Sequence, residues 1–528
     1  MKRTLAEFGE LWPAEQKLRD EVHTGHFLII STELPPEDAS HAVRIRVSFI
    51  AYLALGGCKK CRLSPRGLWI SGAFIDGDDP TPEAETAGLD LTGCNLQGDL
   101  LLHHCRFPDP VIARDATLPN LGLSGSHLAQ GLRADRLEIK GGIFLQDVTS
   151  TGEMTILGAT LGGQLICTGG QFSAGNSGNA LIAAGLEAKC GVFLRDVTIK
   201  GLLCFDRATL GGDFDCTGGK FATGKNKAAL MVQGVEAKGG FILRGDGMVA
   251  ESLVLTNARV SAIVDDLHCW PEAGNLDLDG FRYDAIYSTS LSAKDRLEWL
   301  RRQNRAGKPF KPQPYEQLAK VLRDMGHRDD ARLVLIEKER LQRADRRQRL
   351  QMANLFEDAF AAHCWDWVLR YTVAYGQRPL QAFLCLALFW GLGLWVFGAA
   401  FNAQALKPND AVSLRSPDWV LCATQADQQV MLPGGRDPVD GRAGPGQSQF
   451  DCFASKQAAL GYPTFNPWIY SADMLLPVVD LEMQGYWIPD ERLPIGALAR
   501  AYLWLHIIAG WGLSLLAVAG FSGLIKSD

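Results

Sequence analysis

The 528-residue sequence lacks the short motifs by which many enzyme families are recognised. No G-x-G-x-x-G run opens a strand–helix unit, and neither G-x-S-x-G nor H-E-x-x-H occurs. The sequence therefore gives no support for a dinucleotide-binding fold, for an α/β-type serine hydrolase or for a zinc protease with the H-E-x-x-H motif. We therefore expect no catalytic residue and no cofactor.

The sequence also lacks an apolar N-terminal segment and an excess of positive charge. Residues 1–22 contain acids throughout and no apolar run, so we expect no secretory signal and a cytoplasmic N-terminal part. The net charge of −6 gives no reason to expect a nucleic-acid partner. The charge is uneven, because residues 294–349 hold 17 Lys and Arg against 9 Asp and Glu, whereas residues 402–499 hold 6 against 11.

Two late stretches lack every charged residue and are long enough to cross a membrane. They are residues 380–401 and 501–525, and about 20 apolar residues cross a bilayer core. The basic residues before the first stretch favour a cytoplasmic location for what precedes it. We predict a multi-pass protein of the inner (plasma) membrane, with the N-terminal part and the C-terminus in the cytoplasm and an outer loop over residues 402–500.

Cysteine usage divides the chain in the same way. Ten of the 13 cysteines precede residue 380, and the outer loop holds only Cys422 and Cys452. Unpaired thiols suit a reducing compartment, whereas an isolated pair suits an oxidising one, so we predict a Cys422–Cys452 disulfide. The C-K-K-C spacing makes Cys58 and Cys61 weak candidates for a metal site, with a structural role as the favoured alternative. We therefore expect no metal.

The clearest positive signal is a 49-residue internal repeat. The stretch "ATLGGQLICTGGQF" at 159–172 returns as "ATLGGDFDCTGGKF" at 208–221. A related stretch at 95–107 precedes its match at 160–172 by more than one repeat, as if an extra segment had been inserted. Short alternating apolar segments between glycine turns cannot bury a face alone. They predict a parallel β-solenoid (β-helix) over residues 66–288.

Two features of the repeat have plain structural interpretations. Cys167, Cys204 and Cys216 alternate with larger apolar residues, so we expect them to point into the coil as small apolar side chains. The run "GKFATGKN" at 219–226 approaches a phosphate-binding pattern. It ends in Asn where Ser or Thr is needed, and its repeat partner at 170–177 has no lysine. We assign its glycines to a turn of the coil.

Helical sequences flank the solenoid, as solenoids require at their ends. Residues 35–57 have helical apolar spacing, and the chain after the solenoid contains two basic helical stretches separated by Met-Gly-His. The predicted fold is mainly β, with a helical membrane domain of two transmembrane helices. Its predicted domains are a helical cap (1–65), the solenoid (66–288), a basic helical neck (289–355) and the membrane domain (356–528).

Residues 470–489 lie between the two apolar stretches and are apolar, yet they contain Asp473, Asp480 and Glu482. One interpretation is an interfacial helix around 468–483 on the outer surface, which the surrounding prolines favour. The alternative is a dip into the bilayer that lines a pore, because helix, dipping loop and helix is the order of two-helix pore-loop channels. We place the surface interpretation first.

Two patterns bear on the pore alternative. Gly485 and Tyr486 lie where such channels have their filter, but the threonine–valine–glycine–tyrosine–glycine run is absent. His506, Gly510 and Ser514 form a polar, small-residue stripe at helical spacing in the second apolar stretch. Such a stripe is typical of close helix packing. The alternative is that His506 lines a pore.

Several longer segments carry a resemblance over most of the chain. They include "YEQLAKVLRDMGHRDDARLVLIEKE", "FNPWIYSADMLLPVVDL" and "WLHIIAGWGLSLLAVAGFSGL", beside the G-x-L-x-L coils. The chain resembles bacterial membrane proteins that pair a pentapeptide-repeat- or bactofilin-like β-helix with two C-terminal membrane helices. The strict A-(D/N)-L-x-x period is absent, so the repeat is not a regular pentapeptide repeat. Such chains are sometimes labelled membrane-associated oxidoreductases.

These observations predict a non-enzymatic, membrane-anchored cytoplasmic β-solenoid that acts as a scaffold or binding module. We expect it to form a homo-oligomer in the lipid bilayer and to bind an unidentified protein partner on the solenoid. The first alternative is a two-helix pore-loop channel or membrane effector that is gated through the solenoid. The second is an oxidoreductase, for which no cofactor motif is found.

Overall fold

The computed structural model describes the chain in six segments, residues 4–57, 61–77, 88–224, 228–303, 308–432 and 434–522. The chain forms two compact units, Met1–Gln342 and Arg343–Asp528. The first is a parallel β-solenoid of about nine turns with helical ends. The second is mainly helical and contains two long apolar helices. The predicted fold class is confirmed.

A typical solenoid turn consists of four short strands, most of them two residues long. Successive turns stack in parallel: Leu121 pairs with Ile143, and Ile143 pairs with Leu165. Four ladders of strands therefore follow the solenoid, and two of them merge at the long strand Glu236–Leu243.

The first ladder contains Leu28–Ile29, Gly67–Ser71, Asp99–His103, Leu121–Gly122, Ile143–Phe144, Leu165–Ile166, Val192–Phe193 and Phe214–Asp215. The second contains Arg44–Arg46, Phe74–Asp76, Arg106–Phe107, His127–Leu128, Thr149–Ser150, Gln171–Ser173, Thr198–Lys200, Lys220–Ala222 and Val249–Ala250. The third contains Leu89–Asp90, Val111–Ile112, Leu132–Arg133, Met154–Thr155, Asn179–Ile182, Leu202–Cys204, Leu230–Met231, Leu253–Val254 and Leu276–Asp277. The fourth contains Thr117–Leu118, Glu138–Ile139, Thr160–Leu161, Glu187–Ala188 and Thr209–Leu210. The merged end continues through Glu236–Leu243, Arg259–Asp265 and Ala285–Ser288.

The internal repeat corresponds to two turns of unequal length. Leu165 pairs with Val192 and Val192 pairs with Phe214, so a longer turn is followed by a shorter one. The extra residues of the longer turn form a loop at one corner, 174–178, between two strands. In the run "GKFATGKN", Lys220–Ala222 is a strand, and residues 223–224 begin the same corner one repeat later. Its residues 225–226 are outside the described residues.

The wider spacing between the stretch at 95–107 and its match is explained by three whole turns rather than by an insertion. Leu100 pairs with Leu121, Leu121 with Ile143, and Ile143 with Leu165, and these three turns are of nearly equal length. The expected insertion of an extra segment is therefore wrong. The strands stack only in whole turns, so similar segments are always separated by whole turns.

One corner of each turn requires a left-handed backbone. Arg136, Gly158, Gly185, Arg207 and Gly234 occupy this corner in successive turns, with φ between 53° and 68°. A Cβ at Gly158 would meet nothing closer than 3.9 Å. Backbone conformation rather than space therefore favours glycine here.

The interior of the solenoid is a continuous apolar column. Leu165, Val192 and Phe214 are stacked one above another and fully buried. Cys167 and Cys216 are fully buried beside them, so the predicted inward orientation of these two cysteines is confirmed. For Cys204 the prediction is wrong: it lies between the inward-facing Leu203 and Phe205 and pairs with the half-buried Ile182 and Met231, so it lies on the opposite face of its strand. Apolar burial disfavours the thiolate, which raises the pKa of Cys167 to about 12.

The N-terminal end is covered by helices α1 (Pro13–Glu21) and α2 (Val47–Ala54), with 3-10 turns at Leu5–Phe8 and Val22–Thr24. The prediction of helix over 35–57 is wrong in part, because Arg44–Arg46 is a strand that pairs with Phe74–Asp76. The backbone of the first turn needs hydrogen-bond partners that a helix cannot supply. Arg46 also pairs with the buried Glu15 of α1 at 2.6 Å.

The C-terminal end of the solenoid is covered by helices α3 (Ala293–Arg301) and α4 (Gln313–Asp324), followed by the long α5 (Arg328–Met352). Arg296 of α3 pairs with Asp265 through two hydrogen bonds of 2.8 Å, and both side chains are fully buried. The predicted pair of helices with a Met-Gly-His break is confirmed as α4 and α5.

The second unit contains seven further helices among the described residues, α6 (Phe356–Thr372), α7 (Leu380–Asn402), α8 (Ala411–Arg415), α9 (Pro417–Leu421), α10 (Gln449–Ala454), α11 (Pro467–Leu475) and α12 (Pro494–Phe521). It also contains two antiparallel strand pairs, Leu406–Pro408 with Trp487–Pro489 and Gln429–Met431 with Pro438–Asp440, and a 3-10 turn at Gln457–Ala459. The helices α7 and α12 are long and apolar enough to cross a membrane, and only 22% and 33% of their most apolar windows are buried. A core helix of a soluble protein would be mostly buried.

We expect Cys105, Cys167 and Cys216 to resist alkylation in the folded protein. Burial raises the pKa of Cys105 and Cys167 to about 12, so at pH 8 these groups are protonated as well as shielded. The exposed Cys190 and Cys364 should be labelled rapidly by a maleimide, and every free thiol should react in denaturant. Mass spectrometry of the labelled peptides gives the rates. Native labelling of Cys167 as fast as Cys190 would contradict the inward orientation.

Candidate functional site

The stretch predicted to be an interfacial helix forms the short helix α11, which packs against both long apolar helices. Its N-terminus is capped by Asn466, whose side-chain oxygen accepts the N–H groups of Trp468 and Ile469. The helix ends at Leu475, well before the expected residue 483. Pro477 follows closely and cannot continue the backbone hydrogen-bond pattern of a helix.

His506 lies where α7, α11 and α12 meet, and it is 0% exposed. Its Nε2 is 3.0 Å from the carbonyl oxygen of Ser471, and its Nδ1 is 3.1 Å from the hydroxyl of Tyr502. A carbonyl can only accept, so Nε2 carries the proton. The Tyr502 hydroxyl lies between Nδ1 and the carbonyl oxygen of Phe389, 3.3 Å away, and can donate its one proton to either. Both ring nitrogens are used in helix packing, so His506 does not line an exposed surface.

Two glycines allow the three helices to approach this closely. A Cβ on Gly393 of α7 would overlap the hydroxyl oxygen of Ser471, and a Cβ on Gly510 of α12 would overlap the carbonyl oxygen of Leu475. Ser514, one turn beyond Gly510, is half-buried. The small-residue stripe predicted on α12 is therefore a packing surface for α11.

These contacts place the end of α11 against the middle of the long helices. Gly393 lies near the midpoint of α7, and Gly510 lies about 24 Å from the start of α12 at about 1.5 Å per residue. Leu475 packs between Leu386 of α7 and Leu513 of α12. The helix α11 thus follows α7 and α12 inward rather than lying across their ends.

The chain then runs back along residues 476–486, which we call the return segment, to the strand Trp487–Pro489 beside the end of α7. Its backbone is held by Asp473 of α11, which is 5% exposed. The carboxylate accepts N–H groups from Leu481 at 2.7 Å and from Met483 and Gln484 at 2.9 Å each. Three hydrogen bonds to one buried charge make this contact strong.

The other side of the return segment is exposed. Asp480 and Glu482 are exposed, Val478 is 91% exposed, and the space beside Gly485 is open. Glu482 has a left-handed backbone with φ of 61°, which non-glycine residues seldom adopt. The two neighbours of Glu482 both donate to Asp473, so the same carboxylate maintains this conformation.

The outer end of the return segment is tied to the surrounding loop. Tyr486 is half-buried, and its carbonyl oxygen accepts the N–H of Asn409 at 2.8 Å and a hydrogen bond from Tyr462. Trp487 donates its indole N–H to the carbonyl oxygen of Pro463 at 2.8 Å. The carbonyl of Tyr486 is therefore not free to coordinate an ion as in a carbonyl-lined filter.

The loop between α7 and α12 is a small folded structure. Cys422 and Cys452 are disulfide-bonded, with their Cα atoms 5.5 Å apart. Trp419 and Phe453 pack around the bond. The disulfide joins the end of α9 to α10, and it holds together a segment that has little other apolar core.

Cys58 and Cys61 of the C-K-K-C segment are the weak candidates for a metal site. Cys58 lies outside the described residues. Cys61 is buried and disulfide-bonded, so its sulfur is not a free metal ligand. The disulfide also shows that the thiols of the N-terminal unit are not all unpaired, which weakens the assignment of compartments from cysteine usage.

A scan against protein-family models, a search of curated proteins and a search of solved structures found no match to this chain. The structure shows a β-solenoid accompanied by two long apolar helices. The resemblance to the bacterial β-helix family stays a prediction.

Sequence reasoning missed Ser471 and Gly393, which complete the helix junction. Gly393 has no sequence feature that separates it from Gly391 or Gly398, and a Cβ at either of those would meet nothing within 4 Å. His506 was the available signal, because a polar residue inside a long apolar helix needs a hydrogen-bond partner on a neighbouring element.

We expect Gly510→Ala to destabilise the second unit and Gly512→Ala to have little effect. The first substitution places a methyl group against the backbone of Leu475, whereas the second faces open space. Overpacking of this kind costs about 1–3 kcal/mol, or a Tm lower by roughly 5 °C. Gly393→Ala and Gly391→Ala form a second matched pair. Thermal unfolding in detergent measures both, and equal Tm values within a pair would contradict the packing described.

We expect Asp473→Asn to loosen the return segment. An amide has one acceptor oxygen in place of two, so the three N–H groups of Leu481, Met483 and Gln484 lose their shared charged partner. Their hydrogen exchange should accelerate about tenfold or more. Exchange mass spectrometry of peptides covering the return segment measures this. The control is the exposed Glu482→Gln, and equal exchange in both variants would show that Asp473 does not hold the segment.

Proposed function

We propose that the protein is a homo-oligomeric membrane protein in which the return segments of several copies surround a water-filled pathway for cations. One observation carries the proposal. The return segment places two exposed acidic residues, Asp480 and Glu482, on non-helical backbone beside a helix that packs against the middle of α7 and α12.

The outer surface of the long helices supports a location in lipid. One face of α7 is apolar along its whole length, with side chains that are 46% to 72% exposed: Leu380, Leu384, Leu388, Leu392 and Trp395. A continuous apolar stripe of this length is not left open to water in a stable soluble protein. Lipid chains provide the matching environment.

Within a bilayer, the exposed side of the return segment needs water or protein beside it. Met483, next to Glu482, packs with Leu406, Trp487 and Ala499 near the end of α7 and the start of α12. An ionised carboxylate that meets lipid rather than water is costly, and non-helical backbone beside lipid is tolerated only against protein or a water-filled cavity. Asp473 satisfies part of the backbone, but the side chains of Asp480 and Glu482 are left exposed. Further copies around a shared aqueous axis would satisfy them, and a ring of acids favours cations.

The chain before α7 supports an orientation with the solenoid in the cytoplasm. Arg343, Arg346 and Arg347 of α5 line a cleft of about 390 Å³ shared with Trp365 of α6. Basic residues beside a membrane helix favour the cytoplasmic side, and exposed tryptophans are typical of either membrane interface. The solenoid then acts as a cytoplasmic binding module, as expected of the bacterial family that the chain resembles.

A second candidate function is a non-conducting membrane anchor for a scaffolding solenoid. The observation that favours it is the outer end of the return segment. The carbonyl of Tyr486 is already hydrogen-bonded and Trp487 is buried, so a carbonyl-lined filter cannot form there. Conduction would depend on the acidic side chains alone.

Planar-bilayer recordings of the purified full-length protein separate the two functions. We expect cation-selective steps, and we expect Asp480→Asn combined with Glu482→Gln to lower the cation-to-anion permeability ratio several-fold, because the ring loses its charge. Asp437→Asn combined with Asp440→Asn removes two exposed acids of the same loop and should leave selectivity unchanged.

Insertion and assembly are verified in the same samples by cross-linking. Val478→Cys, in a background without the exposed thiols Cys190 and Cys364, should form disulfides between copies around a shared axis. A silent bilayer with cross-linked, inserted protein would leave the anchor function. Currents that keep their selectivity in the double variant would refute the acidic pathway.

A further inference from the structure

A single tight turn at the C-terminal end of the solenoid unit brings three metal-ligating side chains together. It consists of Asp266 and the 3-10 turn Leu267–Cys269. One ligand atom each from Asp266, His268 and Cys269 lies within 4.8 Å of the other two. Cys269 is buried, Asp266 is half-buried and His268 is exposed. The group thus extends from the interior to the surface.

The turn is held at both ends by its neighbours. The indole N–H of Trp270 donates to the carboxylate of Asp265 at 2.5 Å, which joins the residue after the turn to the residue before it. Asp265 is itself fixed by the buried Arg296. Arg302 donates to the carbonyl oxygens of Leu267 and Trp270 at 3.0 and 2.9 Å. Such supporting contacts fix the directions of ligand side chains.

The ligand types favour one class of metal. A thiolate, an imidazole and a carboxylate together suit Zn²⁺, whereas Mg²⁺ and Ca²⁺ require oxygen ligands. Zinc–ligand bonds of about 2.0–2.3 Å put neighbouring ligand atoms about 3–4 Å apart in a tetrahedral site. The three ligand atoms lie within 4.8 Å of one another, so side-chain rotations are enough to bring them to these distances.

A cleft lies directly beside two of the three residues, His268 and Cys269. Its volume is about 600 Å³, and its lining includes His268, Cys269, Trp270, Glu251 and Glu272. Cys269 itself is 0% exposed, so the exposed His268 is the part of the group that faces solvent in this cleft.

We propose that Asp266, His268 and Cys269 bind one Zn²⁺ ion, with a fourth, exchangeable position directed into this cleft. A water molecule or a donor atom of a bound partner would occupy that position, as in zinc sites with three protein ligands. The thiol proton of Cys269 passes to the solvent buffer when the metal binds. The site would make metal binding a property of the solenoid unit and is independent of the pore.

The test uses the full-length protein without a polyhistidine tag, stripped of metal with a chelator and titrated with ZnCl₂ by calorimetry. We expect one Zn²⁺ per chain at this site. Cys269→Ser and His268→Ala should each weaken its affinity about tenfold or more. Titration with Co²⁺ should give a thiolate-to-metal charge-transfer band that Cys269→Ser removes. MgCl₂ should give no binding at equal concentration.

Matched controls are Cys190→Ser and His26→Ala, which remove an exposed thiol and an exposed imidazole of the same unit. Both should leave the Zn²⁺ affinity and the Co²⁺ band unchanged. His268 is exposed, so His268→Ala tests the site even if Cys269→Ser fails to fold. The proposal is overturned if the protein binds no Zn²⁺, or if His268→Ala binds Zn²⁺ as tightly as the unchanged chain.

Discussion

Each short strand of the solenoid directs its backbone N–H and C=O groups along the axis of the coil, where only another turn in register can satisfy them. Every other feature of this unit follows from that requirement. Turns stack in register, and the extra residues of a longer turn are placed at a corner, where they leave the ladders intact. At the two ends, where no further turn is available, α1–α2 and α3–α4 cover the apolar column, and Arg44–Arg46 adds one more strand.

The same requirement is met differently in the second unit. Helices satisfy their own backbone, so α7, α11 and α12 pack through side chains and glycines. The return segment is not helical, so its backbone N–H groups need acceptors outside the segment. The carboxylate of Asp473 accepts three of them, from Leu481, Met483 and Gln484. Asp473 is buried on one side of the segment, so the segment is held on that side only. In the oligomer that we propose, its exposed side, with Asp480 and Glu482, faces the aqueous pathway.

Much of the architecture could be predicted because it depends on local patterns. Alternating apolar residues between glycine turns predicted the coil, and two uncharged stretches predicted α7 and α12. The number of turns per repeat could not be predicted, since a repeat of two unequal turns has the same sequence signature as a single long turn. The exact start of α12 was also missed, because Pro494 begins the helix before its uncharged part.

By itself, the sequence determined which segments are buried and which are long enough to span a membrane, because burial follows from the spacing of apolar residues. Only the tertiary structure decided what each polar residue does. Asp473 and Asp480 lie in the same apolar stretch, yet one is a buried acceptor and the other is exposed. His268 and Cys269 come together with Asp266 in a turn that the hydrogen bond from Trp270 to Asp265 closes. The physical reason is that a side chain's partners lie on other elements, and no local pattern encodes which elements meet.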